Sequence, residues 1–223
     1  MKKNILVAVA HPDDEVLGVG GTIKKHADKG DAVFVLFMAD GEKSRASAVN
    51  NDVSARQDAA NKVAKILGIK ETYFADFPDN RMDEIALLDV AKYFEEYIAK
   101  IKPDVIYTHH GGDLNVDHRM VFEAVMTAAR PIKGNAYPKQ IYCFETLSST
   151  EWGIHKGFQP DTFINIEEQM SAKIDALKEY DNEMRDFPHP RSYQAVEALA
   201  KLRGSVVALN AAEAFTCIRN IQD

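Results

Sequence analysis

The chain has 223 residues, a length typical of one large domain. With 46% hydrophobic and 27% charged residues, it has the composition of an ordinary globular protein. Its net charge of −7 argues against a nucleic-acid partner, because nucleic-acid-binding proteins normally present a basic face.

Several further features bear on location. No apolar run approaches the ~20 residues of a membrane span, so we expect no membrane partner. The N-terminus enters a strand pattern without the longer apolar stretch of a signal peptide. The two cysteines, Cys143 and Cys217, lie in apolar surroundings and are interpreted as buried thiols rather than a disulfide. Together these features predict a cytoplasmic protein.

Strand-like and helical patterns alternate along most of the chain. Apolar runs typical of buried strands cover residues 5–9, 32–38, 72–77, 105–108, 140–145 and 162–166. Helical periodicity covers residues 15–29, 53–67, 83–101 and 118–129. This order predicts an α/β fold, a Rossmann-like and mostly parallel sheet with helices on both faces.

The last third of the chain changes character. Residues 167–183 and 192–209 have helical patterns around a proline-rich connector at 186–192, which predicts a C-terminal helical extension. No linker separates this part, so we predict a single domain over residues 1–223. Residues 40–52 are polar and non-periodic, and they are predicted to form a loop over the site.

Two polar runs follow predicted strands. Residues 10–15 read Ala-His-Pro-Asp-Asp-Glu directly after the first strand, and residues 109–118 follow the fourth. Unpaired, such charges would cost roughly several kcal/mol each to bury. They have a use where open α/β sheets bind their ligands, beyond the carboxyl ends of the strands. The two runs therefore predict a metal site at that edge.

The residue types within these runs suggest individual roles. His11, Asp14 and His118 form the best trio of zinc ligands, since three protein ligands and a water make a hydrolytic zinc site. Iron(II) also suits two histidines and a carboxylate. Asp13 then remains as a general base, and Asp117 is suited to orienting a ligand imidazole.

The same run carries a family resemblance. Residues 10–15 resemble the signature of the LmbE-like, or PIG-L-type, N-acetylglucosaminyl deacetylases. Further matches are Asp40-Gly41-Glu42, Arg56-Gln57 opening a helix that ends Leu67-Gly68, and Asp117-His118. The match is densest over residues 5–130. It implies a Rossmann-like fold, zinc held by His11, Asp14 and His118, and hydrolysis of an N-acetyl group on a sugar with Asp13 as base.

One position departs from the family pattern. Many members carry a histidine three residues before the last ligand, where it stabilises the oxyanion or protonates the amine; here that residue is Asn115. An asparagine amide can donate a hydrogen bond to an oxyanion, but it supplies no proton at neutral pH. The acid is then Asp13 after it has taken a proton, or one of His109, His110 and His189.

Candidate substrate contacts come from four residues. For Arg56, the family parallel favours a role in substrate binding over a surface salt bridge. Trp152 is equally suited to stacking on a sugar and to anchoring a loop or subunit contact. His189 and Arg191, in the proline-rich connector, fit a substrate pocket and a structural role equally well, and Ser192 is suited to capping the next helix.

The leading hypothesis is a zinc-dependent hydrolase that removes acetyl from an N-acetylated amino sugar or glycoconjugate, acting on a small-molecule substrate. Alternatives are a zinc amidase for another acyl-amine conjugate of the thiol-glycoside type, or a metal-containing binding protein without turnover. A nucleotide-dependent oxidoreductase is disfavoured because residues 18–21 lack the Gly-x-Gly-x-x-Gly spacing. The oligomeric state stays open, a homo-oligomer included.

Overall fold

The computed structural model describes residues 2–39, 50–153 and 157–222, with the side chains of residues 50–54 excepted. Within these residues seven strands form one sheet of order β3-β2-β1-β4-β5-β7-β6. The strands are β1 (Asn4–Val9), β2 (Ala32–Ala39), β3 (Glu71–Phe77), β4 (Val105–His109), β5 (Gln140–Phe144), β6 (Thr162–Asn165) and β7 (Ala212–Asn220).

The sheet is mixed, with a parallel majority. Strands β3, β2, β1, β4 and β5 pair in parallel, whereas β7 is antiparallel to both β5 and β6. The predicted α/β fold is thus confirmed. The sequence pattern missed β7, because Glu213 and Arg219 interrupt the continuous apolar run that marks the other strands.

Helices cover the sheet. The described residues form α1 (Asp14–Asp28), α2 (Asn50–Leu67), α3 (Leu87–Ile101), α4 (Val116–Ala128), α5 (Met170–Lys178) and α6 (Tyr193–Ser205). The helix predicted over 167–183 is shorter, since 3₁₀ turns flank α5 on both sides. The predicted C-terminal helices are present, and after α6 the chain returns to the sheet as β7.

Alternating side chains of the strands separate two cores. Ile5, Val7 and Val9 face one buried cluster, and Leu6 and Ala8 face the other. On the first face, α1 lies so close to the sheet that a Cβ on Gly18 would overlap the ring of Phe144. The N-terminal half of α1 is therefore fixed firmly against the sheet.

This architecture brings the two polar runs to one edge. The first run leaves the carboxyl end of β1 and opens α1, while the second leaves β4 and opens α4. Of the predicted loop 40–52, residues 40–49, which include Asp40-Gly41-Glu42, lie outside the described residues, and residues 50–52 open α2. Cys143 is a buried thiol, and Cys217 is a partly exposed one. No described helix is long and apolar enough to cross a bilayer.

Candidate active site

His11, Asp14 and His118 converge at the carboxyl edge of the sheet. His11 Nδ1 lies 3.4 Å from Asp14 Oδ2, and His118 Nε2 lies 3.3 Å from Asp14 Oδ1. One potential ligand atom from each residue lies within 4.8 Å of the others, and all three residues are buried. Asp14 Oδ1 makes no hydrogen bond with the described residues. Two imidazoles and a carboxylate with an unsatisfied buried oxygen fit a divalent metal ion.

Carboxylates hold both imidazoles from behind. His11 Nε2 lies 3.0 Å from Asp117 Oδ2 and 3.1 Å from Asp79 Oδ1. His118 Nδ1 lies 3.2 Å from Asp113 Oδ1. Each imidazole therefore turns its other nitrogen, His11 Nδ1 or His118 Nε2, towards Asp14. This is how metal-binding histidines are oriented in proteins, and it leaves His11 Nδ1 and His118 Nε2 as the donor atoms.

The charges around the trio favour a cation between its members. Burial alone would lower the pKa of His118, but the carboxylates of Asp14 and Asp113 raise it to about 9. Burial likewise opposes protonation of His11, whereas Asp117, Asp14 and Asp79 raise its pKa well above the usual value. A metal ion would replace these protons, so its binding would release protons and strengthen as the pH rises.

Asp13 lies beside the trio with an unusual backbone. Its φ of 123° lies in the left-handed half of conformational space, which costs a non-glycine residue roughly 1–3 kcal/mol. Its backbone N–H donates to Glu15 Oε2 at 2.9 Å, and Glu15 Oε1 accepts from the Tyr180 hydroxyl at 2.8 Å. The buried Glu15 therefore stabilises the strained backbone at Asp13 by a hydrogen bond, and the Tyr180 hydroxyl fixes the position of the Glu15 side chain.

The carboxylate of Asp13 is placed for proton transfer. Burial raises the pKa of Asp13 to about 6, against the opposing effect of Arg191. Arg191 Nη1 donates to Asp13 Oδ2 at 2.9 Å, and its Nε donates to Ser148 Oγ at 3.0 Å. A carboxylate with this pKa accepts a proton near neutral pH and can give it back.

His11, His118 and Asp13 line a cleft of about 200 Å³. Its lining is almost wholly polar: His11, Asp13, Arg56, Asp79, Asn80, Asn115, His118, Ser148, Ser149, Glu183 and Arg191. Arg56 donates to Glu183, which also lies 3.9 Å from Arg191. The shared carboxylate of Glu183 thus links the two guanidinium groups on one wall.

Asn115 lies on the cleft wall and serves the fold as well. Its Oδ1 caps α4 by accepting from the backbone N–H groups of Asp117 and His118. That role fixes the orientation of the amide, and Nδ2 donates to Asn80 Oδ1 at 3.3 Å. Nδ2 carries two N–H groups, so the bond to Asn80 leaves the second one for a ligand in the cleft that both residues line.

Other predicted residues lie outside the described cleft lining. The Trp152 ring, 47% exposed, meets His189 edge-on at 6.1 Å, and His189 Nδ1 accepts from the Arg191 backbone N–H. The His110 ring packs edge-on against Phe158. Trp152 and His189 therefore lie next to Arg191 of the lining, and none of the three residues lines the cleft itself.

His109, an alternative acid, is fully buried. Its Nε2 accepts from the Ala10 backbone N–H at 3.0 Å, and burial lowers its pKa to about 3. This ring is held neutral beneath the site and is a poor proton donor.

The sequence patterns missed several residues of this site, among them Asn80 of the cleft lining. Asp113 lies within the run at 109–118, and its position two residues before the helix cap was its only signal. Asp79 follows β3, whose carboxyl end adjoins the site, so topology offered a hint. Glu183 and Tyr180 lie in a region that the pattern assigned to an ordinary helix.

The fold and the site together define an α/β protein in which two histidines and an aspartate that could hold a metal ion lie beside a further buried carboxylate. Comparison with known proteins gives the family. The PIG-L family, described as GlcNAc-PI de-N-acetylase, matches residues 6–129. The chain belongs to this family.

Several relatives illustrate its range. The "uncharacterized deacetylase" YaiS of Escherichia coli K12 is 32% identical over 80% of this chain and 91% of its own length. Diacetylchitobiose deacetylase of Thermococcus kodakarensis is 27% identical over 81% and 70%. The 4-oxalmesaconate hydratase of Pseudomonas putida is 26% identical over 79% and 72%. The relatives of this chain therefore include proteins named as deacetylases and one named as a hydratase.

A solved structure supports the fold. The N,N'-diacetylchitobiose deacetylase of Pyrococcus horikoshii, complexed with an inhibitor, superposes with a TM-score of 0.79. The match covers 97% of this chain and 84% of that protein at 24% identity. At this identity the similarity establishes a shared fold.

Proposed function

We propose that this protein is a zinc-dependent hydrolase that removes the acetyl group from an N-acetylated amino sugar or its glycoconjugate. The observation that carries the proposal is the buried convergence of His11, Asp14 and His118 beside the carboxylate of Asp13. Membership of the PIG-L family and the deacetylase relatives support the same reaction class.

The residues of the cleft divide the chemistry between them. A zinc ion held by the trio would supply an activated water and polarise the amide carbonyl. Asp13 takes the proton of the attacking water, and Arg191 keeps its carboxylate oriented. Asp13 then returns this proton to the departing amine. Asn115 Nδ2 is the amide donor that the cleft wall offers to the developing oxyanion.

The lining of the cleft favours a hydroxylated substrate. Its polar groups include Asn80, Ser148 and Ser149 together with the two arginines. Hydroxyl-rich rings satisfy such groups by hydrogen bonding, whereas an apolar ligand would leave them unpaired. We assign Arg56 and Arg191 to substrate binding in the cleft. Trp152 and His189 we assign to its outer rim, where an exposed aromatic face can stack on a sugar.

The decisive experiment uses Asp13→Asn, which keeps the size of the side chain and removes its basicity. Zinc-loaded protein is incubated with a panel of N-acetylglucosamine derivatives, and released acetate is assayed. We expect the variant to retain its zinc and to lose acetate release by a factor of about 10² or more. The matched control Asp175→Asn, in an exposed ion pair with Lys178, should behave as wild type.

Two results would contradict the proposal. One is wild-type protein with bound zinc that releases no acetate across the panel. The other is Asp13→Asn that turns over at the wild-type rate. A different acylated amine, such as a thiol-glycoside conjugate, would shift activity between substrates but keep the dependence on Asp13. Ligand binding without turnover, unchanged by the substitution, would indicate a binding protein.

A hydratase is the second candidate, and the similarity to the Pseudomonas putida hydratase favours it. The same metal-activated water would add to an unsaturated carboxylic acid, for which Arg56 and Arg191 offer guanidinium partners. Mass spectrometry separates the two reactions, since hydration adds one water to the substrate and deacetylation releases acetate. Hydration of such acids without acetate release from any amide would favour this alternative.

A further inference from the structure

A second cavity lies at the opposite end of the sheet. It measures about 250 Å³ and lies where strands β1, β4, β5 and β6 begin, with Lys3 and Gln140 on its rim. A strand of six residues such as β1 is roughly 20 Å long, so this amino-end pocket is well separated from the cleft. It takes no part in the chemistry proposed above.

One helix wall of the amino-end pocket is polar and basic. Thr22, Lys25, His26 and Lys29 line it from α1. Their spacing places them on one face of the helix. The same stripe, one turn earlier, brings Gly18 against the sheet. A helix packed on a sheet normally presents apolar residues at such positions. Here the same helix face packs closely against the sheet at Gly18, and from the next turn onwards it carries a hydroxyl and three basic groups.

The lining carries three ammonium groups. Lys3, Lys25 and Lys29 line the pocket together with His26, whose pKa burial lowers and which pairs with Asp31, and the described lining includes no carboxylate. By contrast, the cleft and the cavity between α5 and α6 each combine cations with carboxylates. The chain as a whole has a net charge of −7, so this concentration of cations runs against its composition.

The ammonium groups keep hydrogen-bonding capacity. Lys3 Nζ donates to Gln140 Oε1 at 3.0 Å, and Lys25 Nζ donates to the Asn165 carbonyl. Each ammonium has three N–H groups, so these contacts leave others available. Lys25 and Lys29, near the C-terminus of α1, also complement the helix dipole. Lys3 lies outside this helix, so the dipole does not explain its presence in the pocket.

An unpartnered hydroxyl provides an independent observation. Thr22 is 1% exposed, and its Oγ1 makes no hydrogen bond with the described residues. A helical threonine hydroxyl ordinarily bonds to a carbonyl one turn earlier, and buried polar groups are almost always paired. Thr22 is among the residues that line the pocket, so this unpaired hydroxyl lies in the pocket wall.

The floor of the pocket is aromatic. Tyr107 and Tyr142 stack with their ring centroids 5.6 Å apart. The Tyr107 hydroxyl lies 3.0 Å from His26 Nε2, whose other ring nitrogen lies 2.7 Å from Asp31 Oδ2. The imidazole is thereby fixed at the edge of the floor. Flat rings below and ammonium groups at the rim suit a ligand with a ring and an anionic group.

We propose that the amino-end pocket binds a small phosphate monoester. A phosphate carries up to two negative charges and three acceptor oxygens, which match several ammonium groups and a hydroxyl donor. The organic group of the ester, where it is a ring, would lie over Tyr107 and Tyr142. A ligand bound here contacts α1, whose first turn carries Asp14 of the His11, Asp14 and His118 trio.

The test is calorimetric titration of the full-length protein at low salt with phenyl phosphate, inorganic phosphate and citrate. Lys25→Ala should weaken the binding of phenyl phosphate about tenfold or more, because it removes a charge-assisted hydrogen bond. Thr22→Val, which keeps the side-chain shape, should weaken it by a smaller factor. The control Lys24→Ala removes a lysine paired with Asp28 on another face of α1, and it should leave binding unchanged.

Arg56→Ala serves as a control for phosphate binding in the cleft. Equal binding by this variant and by wild type supports the amino-end pocket. The proposal is overturned if neither phosphate compound binds, or if Arg56→Ala alone abolishes binding. It is also overturned if Lys24→Ala and Lys25→Ala weaken binding equally, or if citrate binds more tightly than phenyl phosphate. Near-ultraviolet circular dichroism of each variant verifies its fold.

Discussion

Replacing Asp113 with Asn tests how the predicted ligand His118 is held. Asp113 Oδ1 lies 3.2 Å from His118 Nδ1 and accepts from the Asn115 backbone N–H at 2.9 Å. Its Oδ2 accepts from Thr150 Oγ1 at 2.6 Å, and its Oδ1 also accepts from Ser149 Oγ. Burial works against the charge, but these donors hold the pKa of Asp113 well below its usual range. The carboxylate is therefore ionised behind the imidazole.

The substitution keeps the shape and removes this charge. The asparagine oxygen can still accept from His118 Nδ1, and the Thr150 hydroxyl can rotate to accept from the new amide. The imidazole then becomes a weaker donor to the metal. Loss of such an outer partner typically weakens metal binding 10–100-fold, or about 1.4–2.7 kcal/mol. We expect a zinc affinity reduced by that factor with the fold retained.

The assay is competition for zinc against a chromophoric chelator, with Asp175→Asn as the control for a lost surface carboxylate. The control should bind zinc as tightly as wild type, because Asp175 is an exposed partner of Lys178. A folded Asp113→Asn with unchanged zinc affinity would refute the assignment of His118 as a ligand oriented by Asp113.

Three further predictions follow from the geometry. Asp13 acts as base only when ionised, so kcat/KM should fall as the pH drops through its pKa of about 6, and Arg191→Met should move that midpoint upwards. Gly18→Ala should destabilise the protein by about 1–3 kcal/mol in denaturant unfolding, because α1 has no room for a Cβ at this position. Tyr180→Phe removes a hydrogen-bond donor from the buried carboxyl group of Glu15, whose pKa burial raises to about 8, and should cost about 1–3 kcal/mol by the same measurement.

Each of these changes has a matched control. Arg185→Met alters an exposed arginine and should leave the pH midpoint in place. Gly157→Ala adds a Cβ with no heavy atom within 4 Å. Tyr193→Phe loses an exposed hydrogen bond to Asp181 and should cost little. Equal effects of a variant and its control would contradict the corresponding argument. Each pair changes the same type of residue, so the expected difference comes only from where that residue lies in the structure.

Local patterns in the sequence predicted part of the site and the parallel part of the sheet. The run at 10–15 follows a strand and opens a helix, so covalent neighbours alone bring His11 and Asp14 close together. His118 was accessible by one further step, because parallel strands such as β1 and β4 end at the same edge of a sheet. The parallel part of the fold followed from continuous apolar strands alternating with amphipathic helices.

Only the tertiary structure decided the rest. β7 pairs between β5 and β6 although it follows them in the chain, and its mixed composition carries no local signal for that position. Glu183 joins Arg56 and Arg191 across more than a hundred residues of chain, which no periodicity encodes. The orientation of Asn115 depends on its helix cap. Short-range order fixes which residues share a turn or a strand, whereas partners distant in sequence are determined by the packing of the whole domain.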